Sequence, residues 1–235
     1  MAAARPLRNF YIALGIIAVV GVALILTQRQ RRASLAETLR SAPITPITSA
    51  DLGHRIGSDS APVEIAEFAD FSCSHCARFA ILEMPYVRER LIATGRLKWR
   101  FMDFPLGINA NSPAAHLAAG CADEQGRFFE MTDIIFNQQN EWAIERRPGR
   151  KLREYARQAG LDLGRYDTCV ETQHAQPLVD ADHAEGERIG VNGTPAFVVN
   201  GRLWPDVLVY DAIKAIVDSL APVGGAKSAA PPVRR

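Results

Sequence analysis

The run VEIAEFADF (63–71) leads directly into Cys73-Ser74-His75-Cys76. This junction restricts the possible folds more than any other stretch. The run is rich in β-branched and aromatic residues and reads as a strand. The residues after it carry apolar side chains at helical spacing, so a helix begins around Cys73. Two thiols three positions apart then share one helical face, within reach of a mutual bond. Cys73 sits on the first turn, where unpaired backbone N–H groups and the helix dipole favour an anion. A thiol attacks a disulfide only as thiolate, so this is a suitable place for a redox nucleophile. His75 can add positive or hydrogen-bonding stabilisation to that thiolate. On these residues alone a redox pair, half of a metal site and a structural cross-link all remain open.

The rest of the chain supplies the frame. RLKWRFMDF (96–104) reads as a second strand ended by Pro105. From Ser112 to Gly190 the pattern is helical, in segments separated by Gly or Pro. Strands return in PAFVVNGRLWP, where Asn200-Gly201 marks a hairpin turn, and YDAIKAIVDSL (210–220) closes the unit as a helix. The order is β-α-β, a long helical block, then β-β-α, which is the layout of an enlarged thioredoxin fold.

Before this unit, Phe10 to Leu26 is an unbroken apolar run with Arg5 and Arg8 ahead of it and QRQRR behind. Its length suits a short membrane span or a long signal-peptide core. The arginines that follow immediately, and the distance to Ser34-Leu35-Ala36, favour an uncleaved anchor. Arginines on both sides leave the orientation open. Basic and acidic residues nearly balance, 27 against 26, so no global field argues for nucleic acid.

GVNGTPAFVVNG (190–201) places Thr194-Pro195 just before a strand. Together with the strand–Cys-x-x-Cys–helix junction, it carries a specific resemblance. Over about residues 57–221 the chain resembles DsbA-like members of the thioredoxin superfamily, bacterial thiol–disulfide oxidoreductases. The resemblance implies that Pro195 is cis and faces the Cys73–Cys76 pair, and that the Thr194 backbone pairs with an extended substrate. It implies that Glu67 is a buried acid moving the proton of the resolving thiol, Cys76. It also implies a structural disulfide between Cys121 and Cys169, with two buried free thiols as the alternative.

No cofactor beyond the redox-active Cys73–Cys76 disulfide is expected. The expected partners are exported proteins with reduced cysteines and a quinone-linked membrane re-oxidant of the DsbB or vitamin K epoxide reductase type. The expected form is a monomer held in the inner or plasma membrane by residues 10–26, with its catalytic domain in the periplasm or extracytoplasmic space. Two residues depart from the best-known pattern. Ser74 stands where proline is common, and Thr194 replaces valine before the cis-proline. Both leave room for a reductase or isomerase. A rival of another class is a metal-binding, copper-handling module using Cys73, Cys76 and His75.

The expected layout is a cytoplasmic stub and transmembrane anchor (1–32), a flexible tether (33–61), a DsbA-like thioredoxin domain (62–221) and a disordered tail (222–235). A helical insertion at about 106–190 belongs to the third segment. His116 is expected as a partly exposed surface residue, and His54, His174 and His183 show no ligand spacing. Phe71 reads as packing, Asp70 has no assigned role, and ERRPGRK (145–151) reads as a solvated loop.

Overall fold

Strand β2 (Val63–Ala69) is buried along nearly its whole length, because it lies in the middle of a five-stranded sheet. In this computed structural model, which describes residues 4–221, the strand order is β1-β3-β2-β4-β5. β3 (Leu97–Asp103) runs parallel to β2, with Glu67 opposite Phe101. β4 (Ala196–Val199) runs antiparallel on the other side, with Glu67 opposite Phe197. β5 (Arg202–Leu203) follows β4 through the Asn200-Gly201 turn, where Asn200 has a positive φ of 45°. β1 (His54–Ile56) forms the remaining edge, antiparallel to β3. Helices pack on both faces of the sheet around β2, which accounts for its lack of polar alternation.

The parallel β2–β3 pair needs a crossover. It consists of α2 (Ser74–Leu82), α3 (Met84–Val87) and a π-helical turn at Arg88–Ile92. Phe79 of α2 stacks on Trp99 and packs against Phe197, locking α2 to the sheet. Between β3 and β4 lie α4 (Ser112–Asp123), α5 (Phe128–Asn137), α6 (Gln139–Trp142), α7 (Gly149–Gln158), α8 (Leu163–Thr172) and α9 (Gln176–Ile189). Helix α10 (Tyr210–Leu220) ends the fold. The expected helical insertion and the β-β-α ending are both present. ERRPGRK is only partly a loop, since α7 starts at Gly149.

Phe71 couples the sheet to the insertion. It lies fully buried between Phe101 and Phe136, with ring centroids 5.4 and 4.9 Å away. On the other face, α9 approaches closely because residue 186 is glycine. A Cβ there would stand 2.5 Å from the Phe104 ring. Cys121 of α4 and Cys169 of α8 are joined by a disulfide with Cα atoms 5.7 Å apart.

The described residues form two units, one ending at Ser41 and one starting at Ala42. The first is a single helix, α1 (Ala4–Ser41), in which Phe10–Gln30 is long and apolar enough to cross a membrane. The expected flexible tether at 33–61 is corrected here. Its first part continues α1, and residues 42–61 are folded onto the second unit. Ile44 bridges Arg202, Thr48 N–H donates to Glu185 (2.6 Å), and Arg100 donates to the carbonyl of Ser49 (3.0 Å). A segment rich in Pro, Ser and Thr has no period of its own, so distant side chains fix it. The expected tail lies outside the described residues.

Candidate active site

Cys73 is the N-cap of α2, with extended backbone angles (φ −76°, ψ 121°). Strand β2 therefore delivers it to the helix entrance, half-buried, while Cys76 one turn on is fully buried. Both are free thiols. The Thr194–Pro195 peptide is cis, as expected, and the Thr194 carbonyl oxygen lies 3.3 Å from Cys73 Sγ. The two motifs, 121 residues apart in the chain, meet at one point.

The environment drives the two thiols in opposite directions. The Cys73 pKa is held down to about 5, first by the Cys76 thiol donating to its sulfur. The Thr194 hydroxyl and the backbone N–H groups of Cys76 and His75 add to this against the opposing effect of burial. Cys76 is pushed well above the ordinary thiol range, chiefly by burial. His75 contributes through its backbone, and its side chain is exposed. Glu67, buried on β2, is raised by burial to about 8, with the Cys73 charge pushing the same way. It also raises Cys76, so it lies within electrostatic range of both sulfurs and is able to hold a proton near neutral pH.

The sequence from 49 to 219 matches the thioredoxin family. The chain belongs to that family. Several other proteins are similar to the chain. The chain is 27% identical over 169 residues to a probable disulfide bond formation protein D of Bacillus anthracis, covering 69% of this chain and 76% of that one. Its fold is that of oxidised BdbD from Bacillus subtilis (TM-score 0.66, 22% identity, 77% of this chain and 99% of that one). It is also that of alpha-DsbA1 from Wolbachia pipientis (TM-score 0.64, 19% identity, 75% and 93%). The chain thus shares its fold with these two thiol–disulfide proteins. It is 33% identical over 190 residues (78% of this chain) to a Na(+)/H(+) antiporter NhaA 3 of Salinispora tropica. It spans only about a quarter (27%) of that relative's length.

The site of this thioredoxin-family domain contains residues that its motifs do not announce. Asp70, fully buried, fixes the approach to Cys73. Its Oδ1 accepts from Ser72 N–H (2.7 Å), the Ser72 hydroxyl (2.9 Å) and the Ser112 hydroxyl (2.5 Å). Its Oδ2 accepts from Leu106 N–H (2.8 Å), and its carbonyl from Cys73 N–H (3.0 Å). Gln139 of α6 donates to the carbonyls of Phe71 (2.7 Å) and Cys73 (3.0 Å), holding the insertion against the same loop. Asp70 is close enough in sequence to Cys73 to have been a candidate. Nothing local pointed to Gln139.

One histidine expectation is corrected. His116 is not a surface residue. It is fully buried between Asp103, to which it is hydrogen-bonded, and Asp70, 3.7 Å away. Burial alone would lower its pKa, but the two carboxylates outweigh it and raise it. Burial would raise the Asp70 pKa, but the contact with His116 and the hydrogen bonds from Ser112, Leu106 and Ser72 hold it well below the usual carboxylate range. His54 is also buried, 3.1 Å from Asp103 and 3.2 Å from Asp123, and stacks on Phe128. With Asp103 and Asp182 it forms the group of potential metal ligands found among the described residues. Those atoms are already engaged. His54 bonds Asp103, and Asp182 accepts from the backbone N–H groups of Gly53 (2.9 Å) and Asp103 (3.0 Å). Cys73, Cys76 and His75 form no such group among the described residues.

Proposed function

We propose that the protein is an extracytoplasmic thiol–disulfide oxidoreductase that introduces disulfides into exported proteins through Cys73 and Cys76. The observation that carries this reading is the opposed pair of pKa shifts, Cys73 down to about 5 and Cys76 well up. A substrate thiolate attacks Cys73 Sγ of the oxidised pair, and Cys76 leaves and takes up a proton, with Glu67 as the nearby acid. A second substrate thiolate then attacks the substrate sulfur of the mixed disulfide. Cys73 departs as a stable thiolate, which makes it a good leaving group. The substrate loses two electrons and the Cys73–Cys76 pair gains them. A quinone-linked membrane protein of the DsbB or vitamin K epoxide reductase type then re-oxidises the pair, and no other cofactor is required.

In this reading Thr194 presents its backbone to an extended substrate beside Pro195, and Phe10–Gln30 is a single span holding a monomer at the inner or plasma membrane. The Cys121–Cys169 bond supports the oxidising compartment, because such bonds are rare in the cytosol. Two measurements test it. Cys76→Ala should accumulate mixed disulfides through Cys73 in cells, and an absence of such adducts counts against the reading. The equilibrium of the pair with glutathione should be oxidising. A potential near that of thioredoxin would assign a reductase instead, the direction that Ser74 and Thr194 leave open.

A further inference from the structure

Ile108 and Ile144 are each 82% exposed, more than any other large apolar side chain among the described residues. They lie on separate loops, one between β3 and α4 and the other between α6 and α7. The loops are fastened together. Asn109 donates to the carbonyl of Ala143 (3.1 Å), and Asn111 donates to the carbonyls of Trp142 (3.1 Å) and Glu145 (2.8 Å). Two aliphatic tips are thus presented by a braced double loop and are not folded inward.

Beside them stand the exposed Arg146, Arg147 and Arg150. The other basic residues of α7 have carboxylate partners: Lys151 with Glu141, Arg153 with Asp167, and Arg157 with Glu154. No salt bridge to Arg146, Arg147 or Arg150 occurs among the described residues, although Glu145 and Glu154 are near in sequence. The patch therefore combines projecting apolar tips with uncompensated positive charge.

We propose that this face docks on the anionic headgroup surface of a lipid bilayer. Ile108 and Ile144 enter the interface, and the three arginines meet lipid phosphates. Projecting tips followed closely by exposed arginines suit a soft, planar, negatively charged surface better than the groove a folded acidic partner would need. The inference rests on the reading of Phe10–Gln30 as a membrane anchor. Only residues 31–41 separate that helix segment from the folded unit, so even fully extended chain keeps Ala42 within about 40 Å of the bilayer.

The test uses the full chain with phosphatidylcholine vesicles, with and without phosphatidylglycerol. Flotation with phosphatidylcholine alone reports the anchor. Hydrogen exchange of residues 106–111 and 143–150 reports the dock. It should slow several-fold only when phosphatidylglycerol is present, and recover in high salt. Ile108→Ser with Ile144→Ser, or Arg146→Glu with Arg147→Glu, should abolish the slowing and leave insulin reduction in detergent unchanged. Equal exchange in both vesicles overturns the dock, and leaves a soluble acidic protein as the occupant of the patch. Flotation with phosphatidylglycerol vesicles alone sinks the anchor and keeps the dock. Failure to float with either sinks both.

Discussion

Cys73 Sγ lies 3.3 Å from the carbonyl oxygen of Thr194, on the cis peptide to Pro195. The same residue thus offers Cys73 two things of opposite effect. Its carbonyl is an acceptor that gives a thiolate nothing. Its buried hydroxyl, which has no hydrogen-bond partner among the described residues, is free to turn towards a charged sulfur and lower the Cys73 pKa.

Thr194→Val removes the hydroxyl and keeps the shape. It should raise the Cys73 pKa by about one unit, or about 1.4 kcal/mol of thiolate stabilisation. The same energy makes the pair less oxidising by about 30 mV. His75→Ala should act in the same direction but more weakly, because the imidazole is exposed and screened by salt. Thiolate absorbance titrated against pH reads both changes. A larger effect from His75 than from Thr194 would reverse this ranking.

Glu67 has a folded pKa of about 8 against 4.5 when unfolded. Between these values the folded carboxyl keeps a proton that the unfolded chain has lost. Stability therefore falls as pH rises from 4.5 to 8. Cys73 opposes this in the reduced protein: its depressed pKa adds stability that is lost as pH falls towards 5. Glu67→Gln should remove only the first effect, so the stability of the reduced protein should climb more steeply with pH. Denaturant midpoints across this range check it, and curves parallel to the wild type would rule out the raised carboxyl.

Burial works against the charged form of His54, but Asp103 and Asp123 outweigh it and raise the pKa from 6.5 to about 9. The stabilisation is complete below pH 6.5 and is lost as pH rises through 9. His54→Gln should flatten the thermal stability profile in that window while lowering stability at pH 6. An unchanged alkaline slope would assign the loss to another group.

Asp70→Asn keeps the side chain's size but removes the charge facing His116 and an acceptor from the Ser72–Leu106 loop. Breaking a buried pair by removing one partner costs about 3 kcal/mol or more. The denaturant midpoint should drop accordingly, and the Cys73 pKa should move, because the loop leading into α2 loses its anchor. A stability loss with an unchanged Cys73 pKa would make Asp70 purely structural.

Replacing Cys121 and Cys169 by alanine opens a loop with a sequence separation of 48. The chain-entropy model puts the loss at about 4 kcal/mol. Calorimetry of the double variant should show a much lower Tm with the Cys73–Cys76 equilibrium unchanged.

Much of the site was readable because its chemistry is local. Cys73 and Cys76 share one turn and Thr194-Pro195 precedes a strand; neither half is decisive alone, and together they are specific. Glu67 was legible only through the family resemblance, because its strand position alone would equally suit a solvent-facing acid. The supports were not. Asp70 draws its partners from Leu106, Ser112 and His116, and Gln139 reaches back across 66 residues to the Cys73 carbonyl. Residues 42–61 read as a tether because Glu185 and Arg100, which fasten them, lie far along the chain. His116 looked like a surface residue because its helix gave no hint that both Asp103 and Asp70 face it.

The two cysteine pairs differ sharply in access. Cys73 is open to partners, whereas Cys121 and Cys169 are both sealed inside the helical insertion. A client protein of the proposed kind could reach the first pair at the surface but not the buried second pair. In the proposed function a Cys73–Cys76 bond would open and close at every turnover while the Cys121–Cys169 bond stays shut, insulating the scaffold from the traffic it carries.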